Sequence, residues 1–154
     1  MRLSNVPVPE PHVAALIGAA GLHLVLPLRI PVRRRTARLA GGSALAGGIG
    51  LAAWAVASAG EADVERDEAL VTRGAYALSR NPMYEGWSAG MLGLAVWTRS
   101  AWLLAGWALA LLAIDRDIDG EESRLLDRFG LAYRAYHDRV PRYISGRRPS
   151  RRTR

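Results

Sequence analysis

The chain has 154 residues, 50% of them hydrophobic and 23% charged, with a formal net charge of +7. This length fits a single domain, residues 1–154. The chain contains no cysteine, which excludes disulfides, thiol nucleophiles and thiolate metal sites. Its three histidines, His12, His23 and His137, are too scattered to indicate a metal cluster, so we expect no metal.

Four apolar blocks, separated by charged segments, organise the sequence. They cover residues 12–28, 39–59, 83–97 and 101–114. The second block is long enough to cross a bilayer as a helix, whereas the first is near the lower limit. The last two blocks are each only about 21–23 Å long as helices, and we interpret them as a helical hairpin joined at residues 98–100.

The alternative to a membrane protein is a soluble bundle that buries these blocks. Two of them, 39–59 and 101–114, are apolar all round, whereas a surface helix of a soluble protein carries a polar stripe. We therefore predict an all-α integral membrane bundle of about four spans. A C-terminal amphipathic helix is expected at its cytoplasmic face.

The first two blocks are joined by a proline-containing basic connection. Pro27 and Pro31 mark the end of the first block. The second block has small residues four apart, a spacing that lets helix backbones approach closely in lipid. The pairs are Ser43 and Gly47, Ala44 and Gly48, and Ala46 and Gly50.

Arginine placement predicts the orientation of the bundle. If all four blocks span, the side with the N-terminus, residues 60–82 and the C-terminal tail carries fifteen arginines, and the other side carries six. This distribution favours an inner or plasma membrane location with the first group in the cytoplasm. The arginines at 33–35 violate the rule locally. That violation disappears if the first two blocks form a re-entrant or partly interfacial pair.

Two polar segments flank the predicted hairpin. The first is an interfacial loop, 60–82, with the stretch Leu70–Gly86, LVTRGAYALSRNPMYEG, at its end. The second is a predicted amphipathic helix, 116–140, ended by Pro141 and followed by a disordered basic tail, 145–154. The three- and four-residue spacing that indicates this helix is carried by Ile118, Glu122, Leu125, Phe129, Ala132, Tyr136 and Val140. Spacing alone explains Glu121 and Glu122 as acids that favour a helix N-terminus.

Both polar segments resemble motifs of one superfamily. TRGAYALSRNPMYEG is similar to the "GPY…R(H/N)PMY.G" motif of the isoprenylcysteine carboxyl methyltransferase and phospholipid methyltransferase superfamily. EESRLLDRFGLAYRAYHDRVPRYI resembles its "EE..L...FG..Y..Y...VPR" ending. Together the motifs cover residues 70–144, about half of the chain, and the N-terminal half matches only in having two apolar spans.

This resemblance implies a small membrane enzyme that uses S-adenosylmethionine. The cofactor would lie where the last two spans meet the cytosol, capped by the C-terminal segment. The implied cofactor-binding residues are Tyr76, Arg80, Asn81, Pro82, Tyr84, Gly86, Glu121 and Glu122, with Tyr133 and Tyr136 as further aromatic candidates.

The chemistry of the cofactor suits these residue types. A carboxylate pair provides a counter-charge for its sulfonium and ammonium, and a tyrosine can stack on adenine or lie over the sulfonium. Gly86 would let a backbone come close. Arg139 and Arg142 are candidates for positioning an anionic substrate group, and contact with lipid head groups explains them equally well.

Two positions depart from the superfamily pattern. Ala75 stands where proline is usual, which loosens the turn, and Asn81 stands where many members have histidine. An asparagine still offers an amide donor and acceptor to the cofactor. A histidine general base at this position is excluded.

The sequence leaves the methyl acceptor open among lipophilic or small carboxylates, amines and thiols. Membrane lipids and this acceptor are the expected partners, with no nucleic acid. One alternative is a membrane reductase of the sterol-reductase type, which would bind NADPH. Another is a catalytically silent membrane scaffold, for which Ala75 is the only hint.

Overall fold

The computed structural model describes residues 10–60 and 69–146, and helices make up most of both segments. The α-helices are α1, Glu10–Val25; α2, Arg34–Ala59; α3, Pro82–Thr98; α4, Ala101–Phe129; and α5, Leu131–His137. A short 3-10 turn, Gly74–Ala77, precedes α3. Neither described segment contains a strand, and an isolated bridge joins Arg29 to Ser100. The all-α prediction is confirmed.

The four long helices pack side by side in the spatial order α2, α3, α4, α1. Chain neighbours α2 and α3 are antiparallel, as are α3 and α4. The first helix packs antiparallel against α4, because the indole of Trp102 donates a hydrogen bond to the Leu26 carbonyl while Gly106 faces Ala15 and Ala19. The start of α1, the end of α2 and the start of α3 therefore lie at one end of the bundle with the second half of α4. We call this the polar end.

Glycine brings the backbones of α2 and α3 together. A Cβ on Gly48 would collide with the Gly90 backbone, and one on Gly93 would collide with the Leu45 backbone. Gly48 therefore makes the close approach that the small-residue spacing predicted. Two other members of the predicted pairs, Gly47 and Gly50, face open space, so the packed stripe is only partly the predicted one.

The first helix ends earlier than the apolar block that predicted it. It runs to Val25, not to residue 28. The reason is Pro27, which has no N–H to donate and disfavours helical geometry at Leu26. The chain then lies against the turn between α3 and α4, where the N–H of Ile30 donates to the Arg99 carbonyl and that of Ala101 to the Leu28 carbonyl.

The fourth helix corrects the predicted boundary between a last span and a separate cap helix. The predicted span ended at residue 114 and the cap helix covered 116–140, but α4 is continuous from Ala101 to Phe129. The change from apolar to charged residues at Asp115 alters the surface of this helix without breaking it. The break comes at Gly130, which has φ 52° and is followed by the short α5.

Gly130 also changes which side chains face inward. A continuous helix would have buried Ala132, which is exposed, whereas Tyr133 is buried beside Tyr136 and Val140. The predicted periodicity is therefore correct at Ile118, Tyr136 and Val140 and wrong at Ala132. The predicted disordered tail falls outside the described residues from position 147 onward.

Of the helices in the described segments, one, α2, is long and apolar enough to cross a membrane. The shorter α1 is also apolar but has only 16 residues. The predicted bundle of about four spans is therefore not confirmed, although each predicted block is helical.

Candidate functional site

The 3-10 turn Gly74–Ala77 attaches the first motif to the end of α2. Gly74 has φ 61°, and a Cβ at this position would collide with the Ser58 hydroxyl. That hydroxyl accepts a hydrogen bond from the Ala75 N–H at 3.0 Å and donates one to the Trp54 carbonyl at 2.7 Å. A proline at position 75 would have no N–H to donate. Alanine in place of the usual proline at position 75 therefore allows a hydrogen bond that ties the turn to Ser58 of α2.

Asn81 and Pro82 begin α3, with Pro82 in the first helical turn, where its missing N–H is not needed. The buried Asn81 amide donates to the Arg142 carbonyl at 3.2 Å. Ser79 supports the same contact, because its hydroxyl donates to the Arg142 carbonyl at 2.8 Å and accepts from the Asn81 N–H. Asn81 therefore holds the chain that follows α5, residues 138–146, which we call the C-terminal segment.

An ion network joins the two motifs. Two guanidinium nitrogens of Arg80 donate to Oε1 of Glu122, at 3.1 and 2.8 Å, and Nη2 of Arg142 donates to Oε2 at 2.8 Å. We call these three residues the guanidinium clamp. Burial alone would raise the pKa of Glu122, but the hydrogen bonds from Arg142 and Arg80 reverse this and lower it. Glu122 therefore stays ionised with its charge neutralised by the protein.

The two arginines predicted to position substrate differ in their surroundings. Arg142 also donates to Asp119 at 2.6 Å, so two carboxylates already pair with it. These contacts raise the pKa of Arg142, with Glu122 as the largest cause. Arg139 is exposed and donates to the Ala135 carbonyl within its own segment. Substrate positioning by either residue remains a prediction.

Three of the predicted tyrosines are buried beside these elements. The Tyr136 hydroxyl donates to the Tyr76 carbonyl at 2.8 Å, which joins α5 to the first motif. Burial, aided by Glu121, raises the pKa of Tyr76 to about 12. The ring of Tyr133 meets that of Tyr136 edge to face. Tyr133 is buried, and its hydroxyl has no hydrogen-bond partner within residues 10–60 and 69–146.

Tyr84 and Gly86 are both on α3 but contact different neighbours. The Tyr84 hydroxyl donates a long hydrogen bond, 3.4 Å, to Glu121 on α4. A Cβ on Gly86 would lie 2.7 Å from the Ala52 nitrogen, so this glycine permits the approach of α2. The close backbone approach that the sequence predicts at Gly86 is therefore the approach of helix α2.

A cleft of about 310 Å³ opens between α3 and α4 beside Tyr84. Polar side chains and the C-terminal segment border one part of it, and aliphatic side chains border the rest. The lining residues are Tyr84, Glu85, Ser88, Ala89, Leu92, Leu111, Ile114, Tyr143 and Ser145. The position of Ile114, two helical turns before Glu121, places the cleft just inside the polar end.

Several residues at this site were not predicted from the sequence. Glu85 accepts a hydrogen bond from the Ile144 N–H at 2.8 Å, and the Tyr143 hydroxyl donates to Asp115. These contacts hold the C-terminal segment over the cleft. Their position is the only indication of these residues in the sequence, because Glu85 lies inside the first motif and Tyr143 inside the second.

No curated protein and no solved structure gave a significant match to the chain. The family model for phospholipid methyltransferases matches residues 36–130, which run from the start of α2 to the end of α4 and include Arg80, Tyr84 and both glutamates. This match covers more than half of the chain, and it agrees with the resemblance carried by the two motifs. The chain therefore belongs to the phospholipid methyltransferase family, which indicates a membrane methyltransferase.

Proposed function

We propose that this protein transfers a methyl group from S-adenosylmethionine to a lipophilic acceptor at a membrane surface. One observation carries the proposal: Tyr84 of the first motif and Glu121 of the second are hydrogen-bonded at the edge of the cleft between α3 and α4. The clamp of Arg80, Glu122 and Arg142 fixes the same two motifs next to it. Family membership supports methyl transfer as the reaction.

The residues present fit this cofactor. It is cationic at its sulfonium and ammonium, and Glu121 accepts a hydrogen bond from Tyr84. Asp117 adds a second negative charge near this hydroxyl, and Arg124 acts in the opposite direction. Tyr133 is not among the lining residues of the cleft, but its buried hydroxyl has a hydrogen-bonding capacity that the described residues leave unused. Tyr84, Glu121 and Tyr133 are the residues that we assign to cofactor binding.

We assign different roles to the two predicted glutamates. Glu122 already pairs with two guanidinium groups, so its role in the proposal is to hold α3, α4 and the C-terminal segment together. Glu121, beside Tyr84 at the cleft, is the carboxylate that we assign to the sulfonium. Asn81 supports the site by holding the backbone at Arg142.

When bound, S-adenosylmethionine supplies an electrophilic methyl group. The chain contributes alignment and exclusion of water, which are the main requirements of a direct displacement. Glu85 and Tyr143, through their bonds to Ile144 and Asp115, keep the C-terminal segment over the cleft and limit its access to water. This arrangement requires no covalent nucleophile.

The apolar wall of the cleft favours a lipophilic acceptor. Ala89, Leu92 and Leu111 continue the cleft away from the polar end along the two helices. An acyl or prenyl chain placed there would bury its surface against these side chains, at a gain of about 25 cal/mol per Å² of apolar area. The acceptor atom would then lie at the polar end, near Tyr84.

We propose that the bundle lies in an inner or plasma membrane with the polar end in the cytoplasm. Large apolar side chains on its outside support contact with lipid, since Leu24 is 84% exposed and Leu109 and Leu112 are each 66% exposed. The arginine distribution supports the orientation. If the polar residues at their ends extend α1, α3 and α4 into the head-group region, all four long helices can span the bilayer.

Calorimetric titration of the purified protein in detergent with S-adenosylmethionine tests the proposal. We expect saturable binding by the wild type and at least tenfold weaker binding by Glu121→Gln. The variant Asp127→Asn, which removes an exposed charge of the same helix, is the matched control and should bind as the wild type does. Absence of binding by the wild type, together with binding of NADPH, would select the reductase alternative.

A methyl-transfer assay completes the test. Incubation of membrane extracts with methyl-labelled cofactor should place the label in a fraction extracted by organic solvent. Binding without transfer to any acceptor would instead favour the silent scaffold. Equal binding by wild type and Glu121→Gln would retain the activity and refute this site.

A further inference from the structure

Glu85 has a feature that the proposed site does not use. It lies in the first turn of α3, between the motif residues Tyr84 and Gly86, and its side chain lines the cleft. Oxygen Oε1 accepts the Ile144 N–H at 2.8 Å. Oxygen Oε2 is shielded from solvent and has no hydrogen-bond partner among the described residues.

An unpartnered carboxylate oxygen in a shielded position is costly. Leaving a buried polar group without its hydrogen bond costs about 1–3 kcal/mol, and more when the group is charged. The terminal torsion of a glutamate has a broad range, so one oxygen can keep Ile144 while the other turns toward the cleft. The observation therefore indicates a place for a donor that the described residues do not provide.

The two tyrosines that line the cleft do not donate to Glu85. The Tyr84 hydroxyl donates to Glu121 and the Tyr143 hydroxyl to Asp115. The guanidinium of Arg142 donates to Glu122 and Asp119. A ligand in the cleft would supply a donor that these three residues do not offer to Glu85.

The charge of the surroundings selects the kind of donor. Glu85, Asp115 and Glu121 are acidic groups near the two cleft tyrosines. Burial, the Asp115 contact and Glu85 raise the pKa of Tyr143, whereas Arg142 acts to lower it. A cationic N–H group would relieve both the missing hydrogen bond and the charge. An anionic group would meet repulsion from all three carboxylates.

We propose that Glu85 is a ligand-binding residue of this cleft and that its second oxygen binds a primary ammonium group. This inference rests on the proposed function, which supplies two sources of that chemistry: the ammonium of the methyl donor and an amine on the acceptor. In either case Glu85 binds charge at one oxygen and holds the C-terminal segment through the other.

The variant Glu85→Gln separates these two functions of the side chain. It keeps the volume and the oxygen that accepts from Ile144, but it replaces the other oxygen with an N–H donor that cannot bind an ammonium. Asp127→Asn serves as the control, because it removes the same charge from an exposed position outside the cleft. Both proteins are titrated as full chains in detergent.

Three probes distinguish the sources. S-adenosylhomocysteine carries the ammonium of the donor, 5′-methylthioadenosine lacks that group, and dodecylamine represents an amine acceptor. If the ammonium of the methyl donor is the ligand, Glu85→Gln should weaken S-adenosylhomocysteine binding at least tenfold. The affinity for methylthioadenosine should stay within twofold of the wild-type value. If an acceptor amine is the ligand, Glu85→Gln should bind dodecylamine at least tenfold more weakly than the wild type does. Its affinity for S-adenosylhomocysteine should be unchanged.

Unchanged binding of all three probes by Glu85→Gln would overturn the proposal, and so would an equal loss in Asp127→Asn. Wild-type binding of dodecylamine but not of S-adenosylhomocysteine would refute the proposed function and leave Glu85 as an ammonium site. Wild-type binding of neither ligand would overturn both. If Glu85→Gln does not fold, Glu85→Asp replaces it in the titrations. Aspartate keeps the charge but is shorter by one methylene, so the same selective loss of binding is expected.

Discussion

Helix α3 has two neighbours, and it meets them in opposite ways. Against α2 the contact is backbone on backbone, because Gly48, Gly86 and Gly93 leave no room for a Cβ. Against α4 the contact is made through side chains, which leave a cleft of about 310 Å³ between Tyr84 and Ile114. At the polar end, Arg80, two residues before α3, pairs with Glu122 of α4.

The difference shows how a small chain combines rigidity with a binding site. The α2 contact fixes the position of α3 without using any polar group. On the α4 side, hydrogen bonds from Arg80 to Glu122 and from Tyr84 to Glu121 lie at the polar end. Further along the cleft, the indole of Trp107 donates to Ser88 at 2.8 Å. Ligand binding is therefore expected to depend on the α4 side, and folding on both.

The largest expected effect comes from the clamp. Glu122→Ala would leave Arg80, whose side chain is 7% exposed, without its carboxylate. Breaking a buried ion pair costs about 3 kcal/mol or more. We expect a clearly lower thermal midpoint in detergent and faster trypsin cleavage after Arg139 and Arg142. Asp127→Asn should behave as the wild type, and unchanged proteolysis of Glu122→Ala would contradict the clamp.

The glycine contact is tested by a matched pair on α2. Gly48→Ala introduces a Cβ that collides with the Gly90 backbone, and overpacking of this kind costs about 1–3 kcal/mol. Gly47→Ala places its Cβ in open space, where alanine stabilises a helix relative to glycine by up to about 1 kcal/mol. Thermal unfolding of both variants should move in opposite directions. A common shift would mean that α2 and α3 do not pack in this way.

A smaller effect is expected at the turn that precedes α3. Ser58→Ala removes the acceptor of the Ala75 N–H, and a hydrogen bond of this type contributes about 1 kcal/mol. Ala75→Pro removes the donor instead, so the two changes should be less than additive when combined. Thermal midpoints of the single and double variants measure the coupling. Full additivity would show that the tether does not act.

The sequence predicted the helices well because their apolar blocks are unambiguous. Each of the four blocks forms a helix, although the first helix ends at Val25, before its block does. The two motifs meet, since the short connection between α3 and α4 forces an antiparallel hairpin. The continuity of α4 was missed because a change of polarity at Asp115 was interpreted as a boundary. Polarity sets the surroundings of a helix, whereas Gly130 sets its end.

The site was predicted as a list of residues but not as a set of contacts. Gly86 and Glu122 lie at the polar end as expected, yet one contacts α2 and the other pairs with Arg80. Such pairings depend on the positions of three helices at once, which spacing along one helix cannot provide. Ser79, Glu85 and Tyr143 were overlooked for the same reason.

The smallest effect concerns pH. The pKa of Glu122 is lower in the folded protein than in the unfolded chain, so its stabilising contribution is present above the unfolded pKa and is lost as pH falls through the folded pKa. The difference in thermal midpoint between wild type and Glu122→Gln should be constant from pH 8 to pH 5. It should shrink only well below about pH 4.3, the ordinary pKa of glutamate. A difference that changes near pH 6 would assign the clamp to another titrating group.

The absence of native cysteine allows a direct test of the central claim, that the cofactor occupies the cleft between α3 and α4. Ser88→Cys places a single thiol in the cleft, and Ser43→Cys places one on the exposed face of α2. Alkylation rates are measured in detergent with and without S-adenosylmethionine. Saturating cofactor should slow alkylation of the Ser88→Cys variant at least fivefold and leave the Ser43→Cys variant unchanged. Equal rates with and without cofactor in the Ser88→Cys variant, under conditions where calorimetry shows binding, would contradict the account.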